Sequence, residues 1–277
     1  MLASLLAPYI TGRYDVTCVP LPLPLGLVTI LLPSLWSDGA PIFLSPQELQ
    51  DAGLGEVPEP GQGKRWAMLQ VGKQISTGVG FGPGRKTFYE AKLEIPFLRH
   101  PLASSATPFT YKHTILFSSH MMAMSSQNIS GLTSSKVEFE VDEKNYQVEG
   151  YFSVRSAGDG MDDVDVQKQT TVTEGAKWSG ELIKKCFESW FVGENTGQGA
   201  TRFQTEDISP PRCKNSLHVR VNLPTLTSLP LEAISKLAGS PEDAANINEE
   251  GWYDVEGVEG WELSVKTEME MKKVEEV

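Results

Sequence analysis

The chain has little of what a metal centre, a disulfide framework or a nucleic-acid interface requires. Its 277 residues include three scattered cysteines and four histidines, and no two histidines have the spacing of paired metal ligands on a helix. A reduced, cytoplasmic compartment is therefore the simplest expectation. Lys and Arg number 24 against 36 Asp and Glu, without any basic run, so neither DNA nor RNA is an expected partner.

The sequence also lacks a clear membrane span and the common catalytic motifs. Residues 19–36 are apolar, but four prolines interrupt them, and proline removes backbone donors that a span in lipid must pair. We expect an extended lead, a buried strand at residues 25–32, and no membrane partner. No P-loop, G-x-S-x-G or H-E-x-x-H motif occurs, and the glycine-rich residues 78–84 precede a strand rather than a helix. No cofactor and no metal are expected.

Long helical periodicity is scarce, whereas short alternating segments recur along the chain. Helices are predicted at residues 45–53, 175–191 and 230–237, the first from Ser45 as N-cap and Glu48 three residues later. Strands are predicted at residues 65–75, 87–97, 111–120, 136–141, 146–154 and 216–224, and again after residue 251. This pattern predicts one mostly β domain over residues 1–277, a sandwich or barrel, with a solvated acidic segment from about residue 240 to 277.

Three segments resemble the acetoacetate-decarboxylase-like family: KRWAMLQVGKQ, GVGFGPGRKTFYEAKLEIPF and YKHTILFSSHMMAMSSQNISGLTSSKVEF. The similarity is best over residues 21–154. It implies an open, cone-shaped antiparallel β-barrel with a few flanking helices, and an enzyme acting on small β-keto acids or related ketones. A homo-oligomer is implied in the same way. The family's divergent members also imply secondary metabolism, as in fungal biosynthetic clusters, with a polyketide- or terpenoid-like carbonyl substrate.

The family's stretch before its reactive lysines commonly reads GREIWGFPKK, and it aligns without gaps on SQNISGLTSS at residues 126–135. Gly131 matches, but Ser134 and Ser135 replace the paired lysines. A lysine amine forms an imine with a substrate ketone, and a serine hydroxyl cannot. The alignment therefore predicts a cavity without a reactive amine, and a lyase, isomerase or cyclase that works without a covalent adduct.

Acid–base and binding residues are predicted around this cavity. The resemblance implies an active-site role for Glu90, whose carboxylate could act as acid or base if buried. Alternation is equally compatible with Glu90 lying exposed beside Lys92 and Glu94. His113, which lies mid-strand among apolar residues, is the second candidate for an acid or base, since histidine is the side chain suited to proton transfer near neutral pH; a structural core histidine is the alternative. The candidates for substrate binding are Arg65, Arg85, Met122, Thr133, Ser134 and Ser135.

Three alternatives remain open. Lys136, next to the aligned pair, could be the nucleophile of a decarboxylase, although alternation places it with Glu138 and Glu140 on the polar face of its strand. A non-catalytic small-molecule carrier fits the loss of the lysines equally well. A lipocalin-like cyclase is a structural alternative, because that fold is also a β-rich cup with an apolar interior.

Overall fold

The computed structural model describes residues 10–33, 42–79, 85–103, 107–142, 145–156, 177–194 and 199–277. Within these ranges, eleven strands form one sheet. The strands are β1 (Ile10–Pro24), β2 (Lys64–Val79), β3 (Lys86–Leu98), β4 (Phe109–Phe117), β5 (Ser134–Lys136), β6 (Phe139–Val141), β7 (Asn145–Val148), β8 (Phe152–Ser156), β9 (Trp190–Val192), β10 (Gly199–Asn222) and β11 (Trp252–Lys273). The helices are α1 (Leu25–Leu31), α2 (Pro46–Asp51), α3 (His120–Ser130), α4 (Gly180–Phe187), α5 (Leu223–Thr227), α6 (Leu231–Leu237) and α7 (Pro241–Ala245), and a 3-10 turn covers Val274–Glu276.

Seven of the strands close into a ring. Their order is β11, β1, β2, β3, β4, β9 and β10, and β10 pairs again with β11. Every pair in the ring is antiparallel except β4 with β9, which is parallel. Strands β8, β7 and β6 extend the sheet from β10, and β5 pairs with β4. The predicted mostly β fold with a few flanking helices is confirmed.

Successive side chains of a strand point to opposite faces, and in β1 both faces are covered by apolar side chains. On one face of β1, Leu21 and Leu23 belong to the largest apolar core, which includes side chains from α1, α5 and α6. On the other face, Tyr14, Val16 and Cys18 pack with side chains of α4. Because β10 pairs with β11 to close the ring, side chains that point inward are covered, and the charged residues of β3 are among them.

The proline-rich segment belongs to β1, and the predicted strand at residues 25–32 is wrong. β1 pairs with β2 along its whole length, but with β11 only as far as Cys18. Pro20, Pro22 and Pro24 lie beyond that point, where β11 requires no backbone donors from them. The apolar run that follows forms α1. A short buried helix and a short buried strand have the same apolar composition, so composition alone did not distinguish them.

The other helix predictions are confirmed with narrower bounds. Ser45 and Glu48 form the expected capping box at the start of α2. The prediction for residues 230–237 matches α6, whereas the one for 175–191 extends past α4 into β9. α3 was not predicted at all. None of the described helices is long and apolar enough to cross a membrane.

The acidic segment near the C-terminus is part of the ring. Its residues Trp252–Lys273 form β11, which pairs with β1 on one side and β10 on the other. Val265 and Thr267 of this strand are buried, while acidic residues such as Glu268 lie on its exposed face. Over Trp252–Lys273, the segment predicted to be solvated is therefore an amphipathic strand with one buried and one exposed face.

Candidate functional site

Every strand of the ring contributes to a cavity that contains about 680 Å³ of empty space, part of it open to solvent. Met122, Ser125 and Ser126 of α3 complete its wall. One lining residue from each ring strand, in chain order, is Ile10, Gln74, Glu90, Lys112, Phe191, Phe203 and Thr267. Because all seven strands supply a side chain, the cavity lies on the inner face of the ring.

Four charged side chains, which we call the charged cluster, lie at or behind this cavity. Glu90, Lys92 and Glu94 alternate along β3, and Lys112 of β4 lies opposite Glu94. None is more than 5% exposed. Lys92 Nζ lies 3.0 Å from Glu90 Oε1, and Lys112 Nζ lies 3.1 Å from Glu94 Oε1. The two positive charges balance the two negative charges, and buried charges need such partners to offset their loss of hydration.

Amide side chains of β2 bind both carboxylates of the cluster. Gln74 Nε2 donates to Glu90 Oε2 at 2.9 Å, and Gln70 Nε2 donates to Glu94 Oε2 at 2.8 Å. The Thr77 hydroxyl in turn donates to Gln74 Oε1 at 2.9 Å. Each glutamate therefore has one oxygen facing a lysine and the other held by an amide, so both carboxylates have fixed orientations.

A β-bulge turns Lys112 towards the cavity. The pairing of β3 with β4 shifts by one residue at His113, next to the Glu94–Lys112 pair. Strict alternation would place Lys112 on the face opposite to Ile115 and Phe117, which also line the cavity. The extra residue brings all three to the same face, as bulges do where a strand must re-aim a side chain.

The two lysines of the cluster have different basicities. Burial lowers the pKa of Lys112 to about 8, an effect that Glu94 opposes and Lys92 reinforces. Burial also lowers the pKa of Lys92, but Glu90 and Glu94 outweigh it and raise that pKa above its ordinary value. At neutral pH, Lys92 therefore remains an ammonium, whereas a fraction of Lys112 is the neutral amine.

The prediction that the cavity offers no amine is wrong, because the amine comes from β4 and not from the aligned position on β5. Ser134 is buried, and its hydroxyl donates to the Ala123 carbonyl of α3 at 2.9 Å. Lys136 is exposed and forms an ion pair with Glu138. Ser134 thus ties β5 to α3, and Lys136 lies outside the cavity on the polar side that alternation predicts.

Among the other predicted residues, the structure brings Glu90 and Met122 together at the cavity. The alternative in which Glu90 is exposed is wrong, since only 5% of it is accessible. Arg65 lies over the ring of Phe43, and Arg85 donates to the backbone of β1 and β2, so neither lines the cavity. Three further predicted residues, His113, Thr133 and Ser135, are among those that line a separate pocket against β4.

His113 contacts two helices instead of facing the cavity. Its Nδ1 lies 2.8 Å from the carbonyl of Leu31, the last residue of α1, and its Nε2 lies 3.0 Å from the carbonyl of Leu226 in α5. Carbonyls in the last turn of a helix have no partner within the helix. An imidazole carries a hydrogen on one ring nitrogen when neutral and on both when protonated, so His113 binds at least one of these helix ends to β4 at the bulge.

Replacing His113 with leucine is expected to lower the free energy of unfolding by about 1–3 kcal/mol, because at least one helix-end carbonyl loses its donor. Urea denaturation measures this change. His120→Leu is the control, since His120 is exposed at the start of α3 and should alter stability much less. Equal stability of the two variants would show that the contacts of His113 do not hold the helices.

Sequence reasoning missed Lys92, Glu94 and Lys112. Charged residues at alternate positions of β3 look like a solvent-facing strand, and Lys112 looks like an isolated cation beside a histidine. Two observations together could have located these residues. Ala91 and Leu93 show that one face of β3 is buried, and the expected barrel means that the other face of the strand is enclosed as well. In a small closed barrel, the opposite face points inward and is filled by side chains.

No three His, Cys, Asp or Glu side chains in the described ranges are grouped closely enough to hold a metal ion. The ionisable groups of the cavity are instead an amine and a carboxylate.

No protein-family profile and no curated protein matches this chain, but several solved structures do. The enduracididine biosynthesis enzyme MppR, complexed with pyruvate, matches with a TM-score of 0.48 and 10% identity, over 96% of this chain and 90% of that one. An acetoacetate decarboxylase matches with a TM-score of 0.45 and 8% identity, over 96% and 89%. The enzyme of that name from Legionella pneumophila matches with a TM-score of 0.44 and 9% identity, over 94% and 83%.

At these identities and scores, the likeness concerns the course of the fold and says nothing about the reaction. The chain is thus similar in fold to acetoacetate-decarboxylase-like enzymes, as the resemblance of its sequence predicts.

Proposed function

We propose that this chain is an enzyme that converts a small carbonyl compound through an imine formed by Lys112. The observation that carries the proposal is a buried amine at the wall of a cavity, with a pKa of about 8. An amine with that pKa is neutral in about one molecule in ten at pH 7, against roughly one in several thousand for an ordinary lysine. The neutral form is the nucleophile.

The first step is attack of the Lys112 amine on the carbonyl carbon of the substrate. One proton is taken up from solvent, water leaves and a protonated imine remains, so that one C–N double bond replaces the C–O double bond and the cation is restored. The iminium then accepts the electron pair of a C–H or C–C bond that breaks at the adjacent carbon, which yields an enamine. Glu90 lines the same cavity and can receive or return the proton.

The rest of the charged cluster supports this step. Lys92 stays charged between two carboxylates, and its positive charge helps to lower the pKa of Lys112. Glu94, 3.1 Å from Lys112 Nζ, orients the amine. Gln70 and Gln74 hold the carboxylates in place, so the amine meets the substrate in a preorganised site.

A second candidate is acid–base catalysis by Glu90 without a covalent adduct, as in an isomerase or cyclase. The observation that favours it is the orientation of the Glu90 carboxylate by Gln74 at the cavity wall. A protein that binds a carbonyl compound without changing it would share the same cavity. Neither of these alternatives leaves a reducible bond between the ligand and Lys112.

Reductive trapping separates these functions. With benzaldehyde and cyanoborohydride at pH 7, we expect Lys112 to be alkylated at least about tenfold faster than the exposed Lys136, as peptide mass spectrometry can measure. Lys112→Met should remove the fast modification, and Lys136→Met should retain it. Modification of Lys112 no faster than Lys136 would overturn the imine mechanism, and loss of a substrate's turnover in Glu90→Gln would then favour the second candidate.

A further inference from the structure

The net charge of the buried cluster changes when Lys112 reacts. While Lys112 is a neutral amine, the cluster consists of one cation, Lys92, and two carboxylates, Glu90 and Glu94. Forming a protonated imine restores the second cation, so that positive and negative charges balance again. A substrate carboxylate brought in with the imine would undo this balance next to groups that are at most 5% exposed.

Within the described part of the chain, the cavity wall offers no second cation to pair with an anion. Among the described residues that line it, Lys112 and Glu90 alone have ionisable side chains. Once Lys112 is part of the imine, its nitrogen is bonded to the substrate and remains beside Glu94. Lys92 lies behind the wall, 3.0 Å from Glu90, so a carboxylate in the cavity would face Glu90 without a counter-ion.

The remaining wall suits an uncharged molecule. Four phenylalanines, Phe88, Phe117, Phe191 and Phe203, contribute flat apolar surface. Two hydroxyls of α3, those of Ser125 and Ser126, can exchange hydrogen bonds with a neutral oxygen. This composition, apolar with a few polar groups that fix orientation, is typical of sites for small neutral ligands.

We infer that the substrate of this site is an uncharged aldehyde or ketone, aromatic or otherwise apolar, and not a keto acid. The inference rests on the imine chemistry proposed above and deepens it. The reaction is then the breaking or making of a C–H or C–C bond next to the carbonyl. Loss of carbon dioxide is excluded, because an uncharged substrate of this class has no carboxylate to release.

A pair of probes of equal shape tests the inference. 4-Formylbenzamide and 4-formylbenzoate differ in one charge, and each is offered separately with cyanoborohydride at pH 7. Nα-acetyl-lysine in solution gives their intrinsic ratio of reactivity. We expect the ratio of amide to carboxylate adduct on Lys112 to exceed that intrinsic ratio at least about tenfold, because the carboxylate meets Glu90 in a medium of low dielectric constant.

Glu90→Gln keeps the size of the side chain and removes its charge, so the ratio should fall towards the intrinsic value. The matched control is Glu138→Gln, an exposed carboxylate outside the cavity, which should leave the ratio unchanged. An intrinsic ratio on wild-type Lys112, or a preference for the carboxylate, would overturn the substrate class while leaving the imine mechanism standing. If neither probe modifies Lys112 faster than Lys136, the imine mechanism fails, and this inference fails with it.

Discussion

Replacing Lys92 with methionine is expected to lower the free energy of unfolding by about 3–5 kcal/mol, because it leaves a buried carboxylate without its counter-ion. Lys92 has no exposed surface, and its ammonium lies 3.0 Å from Glu90 and close to the rings of Tyr14 and Phe203. Methionine fills nearly the same space, so the loss reports on charge rather than on a void. Urea denaturation at pH 7 measures it.

A compensating change distinguishes charge from packing. In the double variant Lys92→Met with Glu90→Gln, the cluster is again neutral, with Lys112 and Glu94 as its remaining pair. We expect the double variant to recover most of the lost stability. Lys236→Met is the surface control, because Lys236 pairs with Glu232 on an exposed helix face. A loss in Lys92→Met no larger than in this control would contradict the buried charge balance.

Imine formation on Lys112 is expected to rise about tenfold per pH unit up to a pH of about 8 and then to level off, since only the neutral amine reacts. An exposed lysine should continue to gain reactivity up to a pH of about 10. The direction follows from the lowered pKa: below it the amine holds its proton, and above it no more amine is released. The rate of cyanoborohydride-trapped benzaldehyde adduct at Lys112, measured at several pH values, gives the profile.

Lys136 provides the internal reference, because it is exposed and is read from the same digests. The reactivity of benzaldehyde and reductant changes with pH equally for both residues, so the ratio of the two rates isolates the amines. Profiles that run parallel throughout would mean that Lys112 titrates as a surface lysine does.

The sequence predicted correctly those elements whose determining contacts lie within a few residues of each other. The capping box of Ser45 and Glu48 fixes the start of α2 through contacts within four residues. Alternation along β3 also predicted which residues share a face. It could not say which face meets water, because that depends on β10 pairing with β11 to close the ring.

The position of the Lys112 amine depends on pairing between strands, which is not contained in any short segment of the sequence. The alignment places Ser134 and Ser135 at the position of the family's lysines, but β5 lies beside β4, with Ser134 opposite Ile115. Lys112 reaches the cavity from that neighbouring strand only because of the bulge at His113. A one-residue shift in pairing has no distinct signature in the sequence, and it decides on which face of the sheet a side chain lies.

The pKa of Lys112 in the unmodified protein tests the account most directly. Lysine labelled with carbon-13 at Cε allows each amine to be titrated by NMR, and the resonance that disappears in Lys112→Arg identifies this one. We expect a titration midpoint at a pH of about 8. A midpoint near the ordinary lysine value of about 10.5 would contradict it, because the amine would then be no more nucleophilic at neutral pH than any lysine on the surface.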